Sequence, residues 1–214
     1  MTFDDGPDEE LTPKLLDLLA ADHIKATFFV IGEKVAQHPA IVSRAAREGH
    51  EIGNHSWSHP IFSQLPDQNV RQELQKTDDA ISAATGRCPR LMRPPGGALT
   101  EEQARWIRDE FGYEIVHWSV DPRDYTHPGP AVVCQRILER THSGSIVLCH
   151  DVHPGTIDGM RLAFPQLQAE GFKFVTVSKL LRLAAREQIE KSRAQHHRHS
   201  FRLFRFTSIK FGST

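Results

Sequence analysis

Thr2-Phe3-Asp4-Asp5-Gly6-Pro7 opens the chain as a short β-prone segment that runs into two adjacent carboxylates and stops at a glycine-proline turn. Neighbouring side chains on a regular strand point to opposite faces of the sheet. Two acids in a row therefore serve one pocket only where the backbone bends, and Gly6-Pro7 supplies a bend directly after them. The stretch reads as the carboxyl end of a strand. Taken alone it also fits an ordinary surface turn, because Asp and Gly dominate turns, and residues further along decide between the two.

Outward from it, short β-branched or aromatic runs alternate with amphipathic ones. Strands are expected over residues 27–31, 51–53, 90–92, 114–120, 146–149 and 172–177, with helices over 12–21, 33–47, 67–84, 101–110, 130–141, 157–169 and 178–190. Thr12-Pro13 reads as an N-cap and first-turn proline, and Thr100 with Gln103 has capping-box spacing. Gly49, Gly86 and Gly171 each follow a helical pattern at the place where a left-handed residue would end it. Repeated strand-helix units predict a parallel sheet, either a closed barrel or an open doubly wound sheet. In both, ligands bind at the carboxyl ends of the strands.

At 214 residues and 24.2 kDa the chain fits one domain with a sizeable core, and its 39% apolar and 25% charged residues are those of a soluble globular protein. No apolar run reaches bilayer length, so no transmembrane segment is expected, and no basic-then-apolar leader precedes Thr2. As written the chain is expected to stay in the cytoplasm as a monomer. A late start that omits an export signal would instead place it in the cell envelope or outside the cell. Cys88, Cys134 and Cys149 are too few for a disulfide framework or a cysteine-rich zinc site. A net charge of −1 gives no general attraction to nucleic acid, but residues 186–214 carry seven Lys or Arg against two Glu. Residues 191–214 lose the periodic pattern and read as a basic, His-rich tail, disordered or loosely docked, behind a domain of residues 1–190. A metal or polyanion role for His196, His197 and His199 is the other reading.

Four further polar clusters each follow an expected strand. His55-Ser56-Trp57-Ser58-His59 places two imidazoles four apart, and Pro60 keeps His59 from continuing a helix, so the pair belongs on a turn. With one Asp of the opening stretch they make a His-His-carboxylate set with open positions, the donor pattern of a catalytic zinc site. Arg93-Pro94-Pro95-Gly96-Gly97 is a stiff loop whose Gly96 lets the backbone approach a ligand and whose Arg93 could grip a carboxylate. Trp118-Ser119-Val120-Asp121-Pro122-Arg123-Asp124-Tyr125 and Ile146-Val147-Leu148-Cys149-His150-Asp151 complete the series. Five such clusters at five strand ends are hard to read as five solvated loops.

Together these residues resemble the polysaccharide deacetylases, the NodB-homology domain of carbohydrate esterase family 4, from Thr2 to about Leu181 and across all five family motifs in order. The resemblance implies a distorted (β/α) barrel of about seven parallel strands, here with a shortened first strand. It implies that Asp4 is the general base, that Asp5, His55 and His59 are the metal ligands, that Arg93 positions and tunes Asp4, and that Asp124 orients His150, the general acid. Leu148 would line the pocket for the acetyl methyl group and the Gly96 N–H would meet the oxyanion. Trp118 and Tyr125 would be further walls of the substrate site. The implied chemistry is metal-assisted hydrolysis of N-acetyl or O-acetyl groups on peptidoglycan, chitin-type or xylan-type glycans. Zinc is the first choice of metal, with cobalt, nickel and manganese open from ligand type.

Two positions depart from the family pattern. Gly96 stands where many members have an aromatic residue, and Tyr125 where many have Trp; neither is a metal ligand or moves a proton, so chemistry is expected to persist with an altered substrate choice. Asp4 lies so near the amino terminus that its strand has little length for pairing, and a frayed end would misplace the base. A small-molecule amidohydrolase on the same scaffold, or a non-catalytic carbohydrate-binding relative, are the competing readings.

Overall fold

Among the described residues of the computed structural model, six strands pair in parallel: β1 (Thr2–Asp4), β2 (Thr27–Val30), β3 (Glu51–Asn54), β4 (Leu91–Met92), β5 (Glu114–Ile115) and β6 (Leu148–His150). Their order across the sheet is β5-β4-β3-β2-β1-β6. The structure describes residues 1–206, and side chains through residue 193.

Period-two alternation assigns the faces. Phe3, Phe28, Val30, Val147 and Cys149 pack into the large core that the helices cover. Phe29, Leu91, Val116 and Val177 form a separate cluster, with Phe29 between two residues of the outer core on β2. By the same alternation Thr2 and Asp4 lie on the face opposite Phe3, and Leu148 and His150 on the face opposite Cys149.

The stretch after β5 joins the two edges of the sheet. β5 pairs with β4 at one edge, and five residues on, Val120 bridges Val147 in parallel beside β6 at the other. Ser119 N and Val120 N donate to the Ile146 carbonyl, and Leu148 N donates to that of Val120. The expected strand over 114–120 is thus a two-residue strand plus one bridge. The expected strand over 172–177 does not form. Both edges of β2 are already paired, and Val177 N donates to the Thr27 hydroxyl instead of joining a ladder.

Helices α1 (Leu11–Ala21), α2 (Gly32–Gln37), α3 (Pro39–Arg47), α4 (Asp67–Thr85), α5 (Glu101–Phe111), α6 (Pro130–Arg140) and α7 (Pro154–Ala169) fill the connections. The single helix expected over 33–47 breaks at His38 (φ −129°, ψ 53°), because Pro39 bars the preceding residue from helical geometry. The capping box at Thr100 and Gln103 is present, and Gly86 ends α4 in the left-handed region at φ 71°. Thr12 is not the N-cap of α1: the Asp8 carboxylate accepts from Glu10 N and Leu11 N, which leaves the Thr12 hydroxyl for another partner.

Residues Met1–Val177 form one compact unit and Ser178–Thr214 a second. The second contains most of helix α8 (Val177–Phe206), which continues past the expected start of the tail at residue 191. Residues 207–214, and the side chains of His196, His197 and His199, lie outside the described residues, and the readings placed on them go with them. Among the described residues no helix is long and apolar enough to cross a membrane.

Candidate active site

Asp4 ends β1, paired to β2 on one side and to β6 on the other, where it is the register partner of His150. The strand is short but paired on both sides, and Asp4 is 3% exposed. Its Oδ1 accepts from Arg93 Nη1 at 2.7 Å. The Arg93 side chain, fully buried, also donates to the Thr2 hydroxyl (2.8 Å) and to the Val116 (3.2 Å) and His117 (3.1 Å) carbonyls, and its guanidinium lies 4.2 Å from the Phe29 ring centroid. Burial pulls the guanidinium pKa below its ordinary value, while the Asp4 carboxylate opposes that fall.

By alternation Asp5 would face away from Asp4. Its φ of 74° puts it in the left-handed region instead, and this turn brings both acids to one site. Lys34 Nζ donates to the Asp5 carbonyl at 2.8 Å and Ile31 N to the Gly6 carbonyl at 2.9 Å. Asp5 Oδ1 then lies 3.4 Å from Nε2 of both His55 and His59, too far for a good hydrogen bond. It is buried and finds no hydrogen-bond partner among the described residues. Burial would raise the Asp5 pKa, but the His55 imidazole and the charges of His150 and His59 hold it well below the carboxylate range.

The two imidazoles sit on a non-helical loop after β3, as Pro60 predicted. Asn54 Oδ1 accepts from Ser56 N, Glu73 accepts from Trp57 N and Ser58 N, and Ser56 Oγ accepts from His59 N. His55 Nδ1 faces the Arg93 carbonyl at 2.7 Å; a carbonyl only accepts, so Nδ1 carries the proton and Nε2 keeps its lone pair for the site. Burial lowers the His59 pKa, with His55 adding to the fall and Asp5 opposing it. The ligand atoms of Asp5, His55 and His59 all lie within 4.8 Å of one another. An orphaned buried carboxylate oxygen facing two imidazole nitrogens fits a divalent cation.

On the other side of the site, His150 Nδ1 meets Asp124 Oδ1 at 2.8 Å, while His150 N (2.7 Å) and the Thr156 hydroxyl (2.7 Å) donate to Asp124 Oδ2. Burial opposes charge on this ring, but Asp124 overrides it and pushes the His150 pKa up to about 9. Asp124 stays below its usual value for the same contacts, against its burial. Left-handed Arg123 (φ 55°) and His127 (φ 53°) flank the short 3-10 turn that carries Asp124.

Leu148 is buried two residues before His150, and Tyr125, 46% exposed, sets its ring edge-on to His150 with centroids 5.7 Å apart. Gly96 is left-handed at φ 62°, and a Cβ there would stand 3.3 Å from Ile61. Trp118 lies beside Gly97, with its ring centroid 5.6 Å from the Arg93 guanidinium carbon. Sequence reasoning missed Lys34, Asn54, Glu73 and Asp151, which support the site without a recognisable spacing. Asp151 is buried, its pKa pushed up by that burial to about 7.

The fold and this site define a family: the chain belongs to the polysaccharide deacetylases, whose family model matches residues 1–116. It is 39% identical over 180 residues to the peptidoglycan-N-acetylglucosamine deacetylase PgdA of Listeria monocytogenes, a match covering 84% of this chain and 38% of that one. This chain therefore spans well under half of that relative's length. A peptidoglycan-N-acetylglucosamine deacetylase of Bacillus cereus is 38% identical over 187 residues, covering 85% of this chain and 87% of the relative. The structure of peptidoglycan deacetylase PdaC from Bacillus subtilis superposes with a TM-score of 0.85 at 32% identity, covering 91% of this chain and 94% of that one. The parallel sheet with its covering helices is the distorted barrel of this family.

Proposed function

We propose that this chain hydrolyses the N-acetyl groups of amino sugars in a glycan of the peptidoglycan type, with chitin-type and O-acetylated xylan-type glycans as weaker substrates. The observation that carries the reading is the pairing across the site. Asp4 is held by a permanent cation, Arg93, and His150 by a carboxylate, Asp124, on neighbouring strands in register, and the Asp5-His55-His59 group lies against Asp4.

Asp5, His55 and His59 would hold one divalent cation, zinc first and cobalt, nickel or manganese by the same donor set. Such a cation supplies Lewis acidity to the acetyl carbonyl and lowers the pKa of water. Asp4, whose Oδ1 is committed to Arg93, keeps Oδ2 to take the proton from the attacking water. The Gly96 N–H is assigned to the developing oxyanion and Leu148 to the acetyl methyl. His150, charged at neutral pH, donates to the leaving nitrogen, which departs poorly until protonated. Trp118 and Tyr125 face the sugar. Every assigned group comes from one chain, so the reading needs no second subunit. Its substrate places the working protein at the cell envelope.

The test is acetate release from peptidoglycan, chitooligosaccharide and acetylated xylan, each with added zinc and with chelator. Release from the first two that stops with chelator and returns with zinc is the expected result. A folded protein that neither takes up metal nor frees acetate overturns the reading.

A further inference from the structure

Asp151 follows the general acid His150 in sequence, yet the proton-transfer scheme does not use it. Its carboxyl is fully buried, with Phe28, Val30 and Ile41 among its neighbours around a small apolar gap. Burying a carboxyl among such side chains is costly unless something answers it. Oδ2 accepts from the Thr12 hydroxyl at 2.5 Å, and that hydroxyl in turn accepts from Asp8 N at 2.8 Å. Oδ1 finds no partner among the described residues. What the carboxyl does touch is the backbone that follows Asp5. A Cβ on Gly6 would lie 2.3 and 2.5 Å from its two oxygens, so the carboxyl is packed flat against the glycine. Asp151 N also reaches the Asp4 carbonyl at 3.4 Å.

The bend is thus held from two flanks, by Lys34 and Ile31 on the Asp5 and Gly6 carbonyls and by Asp151 on Asp4 and Gly6. It needs holding, because a residue with a Cβ does not enter the left-handed region as freely as glycine does. We propose that Asp151, fixed by Thr12, is a positioning residue that keeps Asp5 and Gly6 in this bend and so sets the affinity of Asp5, His55 and His59 for a divalent cation. The inference rests on the metal reading given under the proposed function.

Zinc binding to the full chain, measured by competition with a chromophoric chelator, separates the two. A wild-type protein that takes up no zinc defeats the metal reading itself. With wild-type binding established, Asp151→Ala is expected to weaken zinc about ten-fold or more, the usual scale for a group that holds a ligand from behind. Asp151→Asn keeps the shape and the acceptor for Thr12 and restores binding to near wild type, and Thr12→Val falls between them. Thermal unfolding of the metal-free variants runs alongside, because a purely structural role lowers Tm and leaves zinc affinity below Tm unchanged. Wild-type zinc affinity in both Thr12→Val and Asp151→Ala overturns the proposal. If Asp151→Ala does not fold, Thr12→Val decides it, and wild-type affinity there is the overturning result.

Discussion

The site has two buried carboxylates that the barrel treats in opposite ways. Asp4 faces Arg93, a cation that keeps its proton at any pH the protein meets, and every guanidinium nitrogen donates to a group on β1 or on the stretch that closes the barrel. Asp124 faces His150, a cation whose proton can leave. The first pairing holds in place the carboxylate proposed as the base. The second lends charge to the ring proposed as the acid. One element, a buried carboxylate beside a nitrogen, is in the proposed mechanism a fixed base or the tuner of an acid according to the partner.

The metal group gives the largest effect with which to break this comparison. His55→Ala is expected to lose both bound metal and turnover, whereas Asp4→Asn keeps the metal and loses on the order of 10²- to 10⁴-fold in kcat, the range of general-base catalysis. Metal content by elemental analysis together with acetate release distinguishes them, and unchanged metal in His55→Ala would show the ligand assignment to be wrong. Asp124→Asn sharpens the other half. With the His150 pKa at about 9, activity that needs the charged ring should fall as pH rises through about 9. The folded value lies above the ordinary 6.5, so the stability this proton contributes is complete below 6.5 and is lost as pH rises through about 9. In Asp124→Asn both the alkaline limb of kcat/KM and that loss of stability should move towards neutral pH. An unmoved limb would separate Asp124 from the acid. The smallest effect is at Gly96: Gly96→Ala at φ 62° should cost about 1 kcal/mol by denaturant titration while metal binding is untouched.

Much of this was legible because strand ends declare themselves locally. Alternation puts Asp4 on one face of β1 and Gly6-Pro7 announces a bend, and Pro60 keeps His59 out of a helix. The parts that escaped are those set by distant neighbours. Residues 172–177 have strand composition, but only the occupied edges of β2 tell that no ladder is open to them. Residues 114–120 read as one strand because their composition does not show that they begin on one edge of the sheet and finish on the other. Pro39 carried its own warning that 33–47 could not be one helix. Lys34 and Asp151 escaped for another reason: each acts on backbone atoms, and a carbonyl has no residue type to look for.

Arg93 ties the proposed base to the architecture of the sheet. Its Nε and Nη2 hold the carbonyls of Val116 and His117, at the start of the crossing that shuts the sheet, while Nη1 holds Asp4. A disturbance along that crossing, even one remote from Asp4, would tug on the same clasp and shift the carboxylate proposed as the proton acceptor.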